Sequence, residues 1–178
     1  MCKYECLSTQ YDLDSSFLRI EIKLNEVILN LINIYAPNVE SKQLIFINNM
    51  YEVCSNVKNI VMAGDFNAVS MARDRIGSNV KSLKKYEREW NLFFKKFNMI
   101  ESDYENINTK IEEKMTWTNN KISSKIDKLY YYKDLNMKFR YNEIKETSKS
   151  DHRAVFINCE LQKVNKKKKI LINLNHGD

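Results

Sequence analysis

The chain has 178 residues and a mass of 21.2 kDa, a length that fits one domain around a single core. Its residues are 43% hydrophobic and 29% charged, which excludes a disordered chain, and no run reaches the ~18 apolar residues of a membrane-spanning helix. The net charge is +6, and four of these charges belong to residues 163–178, which hold five Lys and one Asp.

Two strands joined by a tight turn are the first predicted elements. The segment "FLRIEIKL" (residues 17–24) alternates apolar and polar residues, and "VILNLINIY" (residues 27–35) is mostly apolar. Only Asn25 and Glu26 separate these segments, so the pattern predicts a β-hairpin. Pro37, the single proline, then ends the second strand.

Two amphipathic helices are predicted on either side of a buried strand. Residues 41–55 carry apolar side chains at steps of three and four, with Ser41 as the N-cap; the apolar positions are Leu44, Ile47, Tyr51 and Cys54. The run "NIVMAGDFN", which contains Gly64, is typical of a strand covered on both faces. The second helix spans residues 82–97, with a core-facing stripe of Leu83, Tyr86, Trp90, Phe93, Phe94 and Phe97. Because its spacing is helical, this stripe indicates core packing rather than stacking on bases.

Four further strands are predicted in the second half of the chain. Their sequences are "MTWT" (115–118), "KIDKLYY" (125–131), "MKFRYNEI" (137–144) and "AVFINCEL" (154–161). Helices between strands in this order predict an α/β sandwich and disfavour both a helical bundle and an all-β barrel.

The cysteines and the basic end of the chain bear on its environment. The four cysteines form no CxxC pair, and "MCKYEC" lacks the apolar run of a secretion signal. We therefore expect a reduced, intracellular protein in which Cys54 and Cys159 are buried. The domain is expected over residues 1–162, followed by a basic tail over residues 163–178. Such a tail is usually solvated, although it also attracts nucleic acid or an acidic membrane surface.

The tetrapeptide "GDFN" is the first candidate site. Alternation along a strand places Asp65 and Asn67 on one face, and Gly64 permits the close approach of a backbone or ligand. A carboxylate and an amide at a strand end hold a hard cation or orient a water molecule. The same residues are also common turn formers, so a plain turn is the alternative.

A second candidate site joins an acid to one of the two histidines. Asp127 lies in a strand-like segment, where aspartate is normally depleted, so it needs a partner. His152, beside Asp151 in "KSDHRAVFI", is the predicted partner, since an imidazole held by a carboxylate has a fixed tautomer and a raised pKa. Asp151 and His152 share a site only if the chain bends there, and Arg153 is expected to stay solvated.

Six motifs in order resemble a known superfamily. They are "NIYAPN", "GDFN", "DRIG", "TW", "SKIDKL" and "SDHRAVF". This series resembles the endonuclease/exonuclease/phosphatase superfamily, and within it the apurinic-like endonuclease domains of LINE-type retrotransposons, over residues 17–161. The resemblance implies part of a four-layer α/β sandwich, the DNase-like fold, with mainly antiparallel and mixed sheets. It also implies a DNA endonuclease that uses Mg²⁺ or Mn²⁺ and lies in the nucleus.

The resemblance implies catalytic roles for six residues. Tyr35 matches a tyrosine that contacts the scissile phosphate, as Asn67 and His152 also do. Asp65 and Asn67 match the pair that orients the attacking water and helps bind the metal. Asp151 matches the aspartate on the metal side, and Asp127 completes the set by holding the histidine.

Four other residues occupy positions of the superfamily motifs. For three of them the resemblance implies a phosphate contact, and for the fourth it implies no catalytic role. Thr116 and Ser124 resemble phosphate-contacting positions, although the register of "MTWTNN" also permits Thr118. Arg75 in "DRIG" resembles a loop position of LINE-type members and receives no catalytic role.

The resemblance also implies a ligand that this sequence does not supply. Superfamily members carry, before the "NIYAPN" strand, a segment with a glutamate in a "QE"-like context that is the chief metal ligand. Glu5, Glu21 and Glu26 do not fit this context. We therefore expect weak metal binding, slight or no catalysis by this chain, and an apolar sheet face that a missing N-terminal half or a partner chain would cover.

Two other functions remain open. One is a superfamily phosphatase or RNA deadenylase, since substrate choice in this fold depends on loops. The other is a catalytically dead remnant that binds DNA or RNA through its residual site and basic tail. No membrane partner is expected.

Overall fold

The computed structural model describes residues 4–77, 79, 82–102, 110–119, 121–147, 150–162 and 167–174. The helices are α1 (Glu40–Cys54) and α2 (Lys85–Lys96), with short 3-10 turns at Ala72–Asp74 and Ile111–Lys114. The strands of the first half are β1 (Glu5–Tyr11), β2 (Phe17–Leu24), β3 (Val27–Tyr35), β4 (Ile60–Asp65), β5 (Arg75–Ile76) and β6 (Met99–Glu101). Those of the second half are β7 (Trp117–Thr118), β8 (Ser123–Ser124), β9 (Asp127–Tyr132), β10 (Met137–Lys145), β11 (Ala154–Gln162) and β12 (Lys167–Leu174).

A six-stranded mixed sheet is the centre of the fold. Its strand order is β1-β2-β3-β4-β9-β6. The β3–β4 pair is parallel, and α1 provides the crossover that this pairing requires. The other pairs in the sheet are antiparallel. Two three-stranded sheets, β10-β11-β12 and β5-β8-β7, accompany it.

Both faces of the sheet at β3, β4 and β9 are covered by apolar packing, whereas all seven residues of β1 are exposed. On one face, Ile34 and Met62 pack with α1 and the aromatic stripe of α2, where Trp90 and Phe93 are buried. On the other face, Leu29 and residues of β4 and β9 pack against β11. This helix layer, mixed sheet and second sheet confirm the predicted α/β sandwich.

Most predicted elements are present with small shifts at their ends. β2 and β3 have the predicted bounds, and the buried strand, both helices and the later strands lie within a few residues of their predicted limits. Cys54 and Cys159 are buried, as predicted. Among the described residues, no helix is long and apolar enough to cross a membrane.

Two local predictions are wrong. Ser41 is not the N-cap of α1, because Val39 occupies that position and no side chain caps it. Arg153 is not simply solvated, because its guanidinium donates to the carbonyls of Glu112 and Met115 and pairs with Glu146. The segment predicted as a basic tail contains β12, which pairs with β11 along its length, and its separation from the domain stays a prediction.

Candidate active site

Three strand ends form one row at the edge of the central sheet. Tyr35, the last residue of β3, pairs in register with Asp65, the last residue of β4. Asp65 in turn pairs with Asp127, the first residue of β9. Residues far apart in the sequence therefore meet because three strands pair in this register. Tyr35 is 61% exposed, whereas both aspartates are buried.

Gly64 permits the close approach of β3 and β4 at this edge. Its φ is +135°, and a Cβ there would lie 2.0 Å from the carbonyl oxygen of Ile34. Only glycine adopts this backbone conformation without strain and leaves that space open. The glycine of "GDFN" is thus required by the backbone directly beneath Asp65.

Asp65 and Asn67 form a hydrogen-bonded turn after β4. The Asn67 backbone N–H donates to Asp65 Oδ1 at 2.7 Å, and Asn67 Nδ2 donates to Asp65 Oδ2 at 3.2 Å. Nδ2 also donates to the carbonyl of Ala36 at 2.8 Å. Since both amide hydrogens are used in this way, the remaining polar atom of the side chain is the acceptor Oδ1. The segment "GDFN" therefore forms a turn, and the hydrogen bonds of this turn also position the Asp65 carboxylate and the Asn67 side chain.

Asp127 and His152 form the predicted pair. His152 Nδ1 lies 3.0 Å from Oδ2 and 3.3 Å from Oδ1 of Asp127. The hydrogen bond that Nδ1 donates to Asp127 raises the pKa of His152 against the opposing effect of burial, and the charges of Asp127, Asp65 and Asp151 raise it further. Because the carboxylate accepts the Nδ1 hydrogen, Nε2 is the second polar atom of this partly exposed ring.

Thr116 positions the strand that carries Asp127. Its fully buried hydroxyl accepts the backbone N–H groups of Ile126 and Asp127, each at 3.0 Å. Its own backbone bonds to Ser124 and Arg153. The structure therefore places Thr116 inside the protein, behind the pair, and its phosphate contact stays a prediction.

Asp151 lies at a bend directly before His152. Its Oδ2 accepts the indole N–H of Trp117 at 2.7 Å, and its carbonyl accepts the backbone N–H of Thr118. Trp117 also forms a bridge with His152. The bend that the sequence analysis required is thus present. Trp117, which belongs to the motif "TW" but received no role from it, orients the Asp151 carboxylate.

A cleft of about 350 Å³ adjoins the site. It is lined by Asn67 and Ser124 together with Arg75, Trp117 and Tyr86, among others. Arg75 pairs with the buried carboxylate of Glu87, and its buried Nη1 has no hydrogen-bond partner among the residues that the structure describes. Thr118, the alternative to Thr116 as the phosphate-contacting residue, is exposed, and its hydroxyl forms a hydrogen bond with that of Ser123.

Asp65, Asp127 and His152 bring ligand atoms within 4.8 Å of one another, as a group that could hold a metal ion. However, Nδ1 of His152 is engaged by Asp127, so these two residues act better as an acid–base pair than as cation ligands. The oxygens that suit a hard cation are the Asp65 carboxylate and Asn67 Oδ1. This donor set fits a cation that keeps several waters, as Mg²⁺ does.

The glutamates considered in the sequence lie away from this edge. Glu5 is in the exposed β1, where it pairs with Lys23. Glu21 contacts Arg19 and lies opposite Asn30, while Asn30 pairs with Ile60 at the other end of β4. Glu5 and Glu21 therefore lie away from Asp65, and the absence of a glutamate ligand stays a prediction.

The fold has solved structural neighbours. The endonuclease domain of TRAS1, a telomere-specific non-LTR retrotransposon, matches with a TM-score of 0.63 and 14% identity over 88% of this chain and 69% of that chain. A 3′ phosphatase, NExo from Neisseria, bound to a product DNA hairpin, matches with a TM-score of 0.62 and 12% identity over 86% and 70%. Humanized D. rerio TDP2 matches with a TM-score of 0.56 and 11% identity over 87% and 67%.

These neighbours confirm the fold that the motifs predicted. They are a LINE endonuclease domain and other endonuclease/exonuclease/phosphatase proteins. No family model and no curated protein matches the sequence. At this level of identity the comparison shows the fold, and the chemistry has to be argued from the site.

Proposed function

We propose that this protein is a metal-dependent phosphodiesterase that acts on DNA. The observation that carries the proposal is the Asp127–His152 pair, set within 4.8 Å of Asp65 at one sheet edge. A carboxylate-held imidazole beside a second buried carboxylate is suited to hydrolysis of an anionic ester. The neighbours support the substrate class, since one is a retrotransposon endonuclease domain and another holds a product DNA hairpin.

The proposed division of labour follows from the hydrogen bonds. Asp65 accepts a proton from the attacking water, and Asn67 Oδ1 orients that water as an acceptor. Protonated His152, stabilised by Asp127, donates from Nε2 to a phosphate oxygen, where negative charge grows in the transition state. The exposed Tyr35 hydroxyl contacts the same phosphate.

Asp65 and Asn67 carry the oxygens that would hold Mg²⁺ or Mn²⁺, and the resemblance adds Asp151, whose Oδ2 accepts the Trp117 indole N–H. When bound, the ion supplies positive charge that polarises the phosphate and stabilises developing negative charge. The few anionic oxygens at this edge predict weak binding and slow turnover by this chain.

The narrower proposal is a DNA endonuclease of a LINE-type retroelement, working in the nucleus. Similarity to the TRAS1 endonuclease domain favours it. The second candidate is a superfamily phosphatase or RNA deadenylase, favoured by a neighbour described as a 3′ phosphatase. A nucleic-acid-binding remnant without catalysis is the third candidate.

Nicking of supercoiled plasmid with Mg²⁺ tests the proposal. We expect slow nicking that is lost with EDTA and reduced by about two to four powers of ten in His152→Ala and Asp65→Asn. Asp14→Asn, a matched change at an exposed turn residue, should leave the rate unchanged.

Two parallel measurements separate the alternatives. Release of phosphate from inositol polyphosphate or from a 3′-phosphorylated oligonucleotide, with no nicking, would favour the phosphatase. Salt-sensitive DNA binding without cleavage, equal in the unchanged chain and His152→Ala, would favour the remnant. Nicking that persists unchanged in both site variants would refute the proposed mechanism.

A further inference from the structure

We infer that Gln43, a helix residue outside the motifs, is a positioning residue that holds the Asp65–Asn67 turn in its reactive shape. The consequence for catalysis rests on the proposed function, whereas the consequence for the turn does not. Gln43 lies in the first turn of α1 and is 0% exposed. A buried amide is costly unless its polar atoms are bonded, so its partners explain its presence there.

The partners of Gln43 join two helices to the turn. Its Nε2 donates to the carbonyl of Phe66 at 2.9 Å and to the carbonyl of Asn67 at 3.3 Å. Its Oε1 accepts the indole N–H of Trp90, from α2, at 2.9 Å. An indole N–H only donates and a carbonyl only accepts, so this orientation of the amide is the one that satisfies all three groups.

The backbone of the turn is in a conformation that surrounding contacts hold. Asn67 has a φ of +47°, in the left-handed region that asparagine occupies more readily than most other non-glycine residues. The bonds of its side chain to Asp65 and Ala36 define the position of the amide group. Gln43 supplies the complementary restraint, since it binds the carbonyls that this backbone conformation directs towards α1.

Neighbouring side chains extend the same restraint along the chain. Lys128 Nζ donates to the carbonyl of Ala68 at 2.7 Å, and Asn91 Nδ2 donates to the carbonyl of Ser70 at 3.1 Å. Gln43 differs from these two residues in that it contacts the carbonyl of Asn67 itself. It therefore acts directly on the residue that positions the Asp65 carboxylate.

The test compares Gln43→Met with a matched control. Methionine keeps the length and apolar contacts of the side chain and removes both polar atoms. The control is Asn30→Leu, because Asn30 is also a buried amide that donates to a loop carbonyl, that of Lys58, but at the opposite end of β4. Urea unfolding of both variants shows how much global stability each one loses.

Amide hydrogen exchange is the first measurement, and it does not depend on activity. In Gln43→Met, the backbone N–H of Asn67 should exchange at least about tenfold faster, while core amides change no more than in Asn30→Leu. An equal increase at all amides in both variants would mean that Gln43 serves stability alone and would overturn the inference.

Plasmid cleavage is the second measurement. Gln43→Met should reduce kcat by about 10- to 100-fold with little change in KM, because misplacement of reacting groups by a fraction of an ångström is costly. Asn30→Leu should keep kcat once both proteins are fully folded. Equal kcat values in the two variants would overturn the catalytic part of the inference. If the unchanged chain cleaves nothing, the proposed function fails, and the exchange data still decide the role of Gln43 in the turn.

Discussion

Replacing Glu101 by glutamine should destabilise the protein in a manner that depends on pH. Glu101 Oε1 lies 2.6 Å from Lys125 Nζ, and its Oε2 accepts the hydroxyls of Ser70 and Tyr130. Burial alone would raise the pKa of Glu101, but the charges of Lys128 and Lys125 and the hydrogen bonds from Lys125 and Ser70 outweigh it and lower the pKa to about 2. Glu101→Gln keeps the shape and removes the negative charge beside two cations.

The size of the effect follows from the lowered pKa. The change from 4.5 in the unfolded chain to about 2 in the folded chain corresponds to about 3 kcal/mol of stability for the ionised group. This contribution is present above the unfolded pKa and is lost as the pH falls towards the folded pKa. It should therefore be complete at pH 7 and reduced to roughly half at pH 3.

Urea unfolding of the unchanged chain and of Glu101→Gln, followed at pH 7, 5, 4 and 3, measures this difference. Glu52→Gln, at an exposed position of α1, is the control and should stay within about 0.5 kcal/mol at each pH. A difference below about 0.5 kcal/mol at pH 7, or one that does not shrink by pH 3, would refute the assigned role of this carboxylate.

Two further predictions concern the site. Gly64→Ala should lower the free energy of unfolding by about 3 kcal/mol or prevent folding, because its Cβ would meet the Ile34 carbonyl and its φ is positive; an urea midpoint equal to that of the unchanged chain would contradict this. NMR titration should give His152 a pKa above 6.5, and Asp127→Asn should lower that pKa. The stability lost in Asp127→Asn should be largest below the unfolded pKa and should diminish as the pH rises through the raised folded pKa. A pKa of His152 that does not respond to Asp127→Asn would refute the pairing.

The sequence was sufficient for elements with a clear periodic pattern. The hairpin of β2 and β3 has both alternation and a short connection, and the aromatic stripe of α2 has helical spacing. β1 was missed because all seven of its residues are exposed, so no apolar face marks it as a strand. β12 gives no clear strand signal, because a lysine-rich run is typical of a solvated segment.

The motifs predict which residues meet at this edge of the sheet. They do not predict the residues that hold those side chains in position. The Asp127–His152 pair could be inferred because an acid in a strand needs a partner. No motif includes Gln43. The signal that could have identified it is its helical spacing with Phe46, Ile47 and Met50, which places a polar residue on the buried face of α1. The bond from Trp117 to Asp151 depends on a bend that local patterns do not reveal.

The strand order at the site has a consequence for the order of folding. β2 and β3 are separated by two residues and close with little loss of chain entropy, whereas the pairing of Asp65 with Asp127 closes a loop of about 60 residues. Contacts of such long range form slowly. We therefore expect the hairpin to form early, whereas the cluster of Asp65, Asp127 and His152 is complete only after β9 and the segment of His152 have docked.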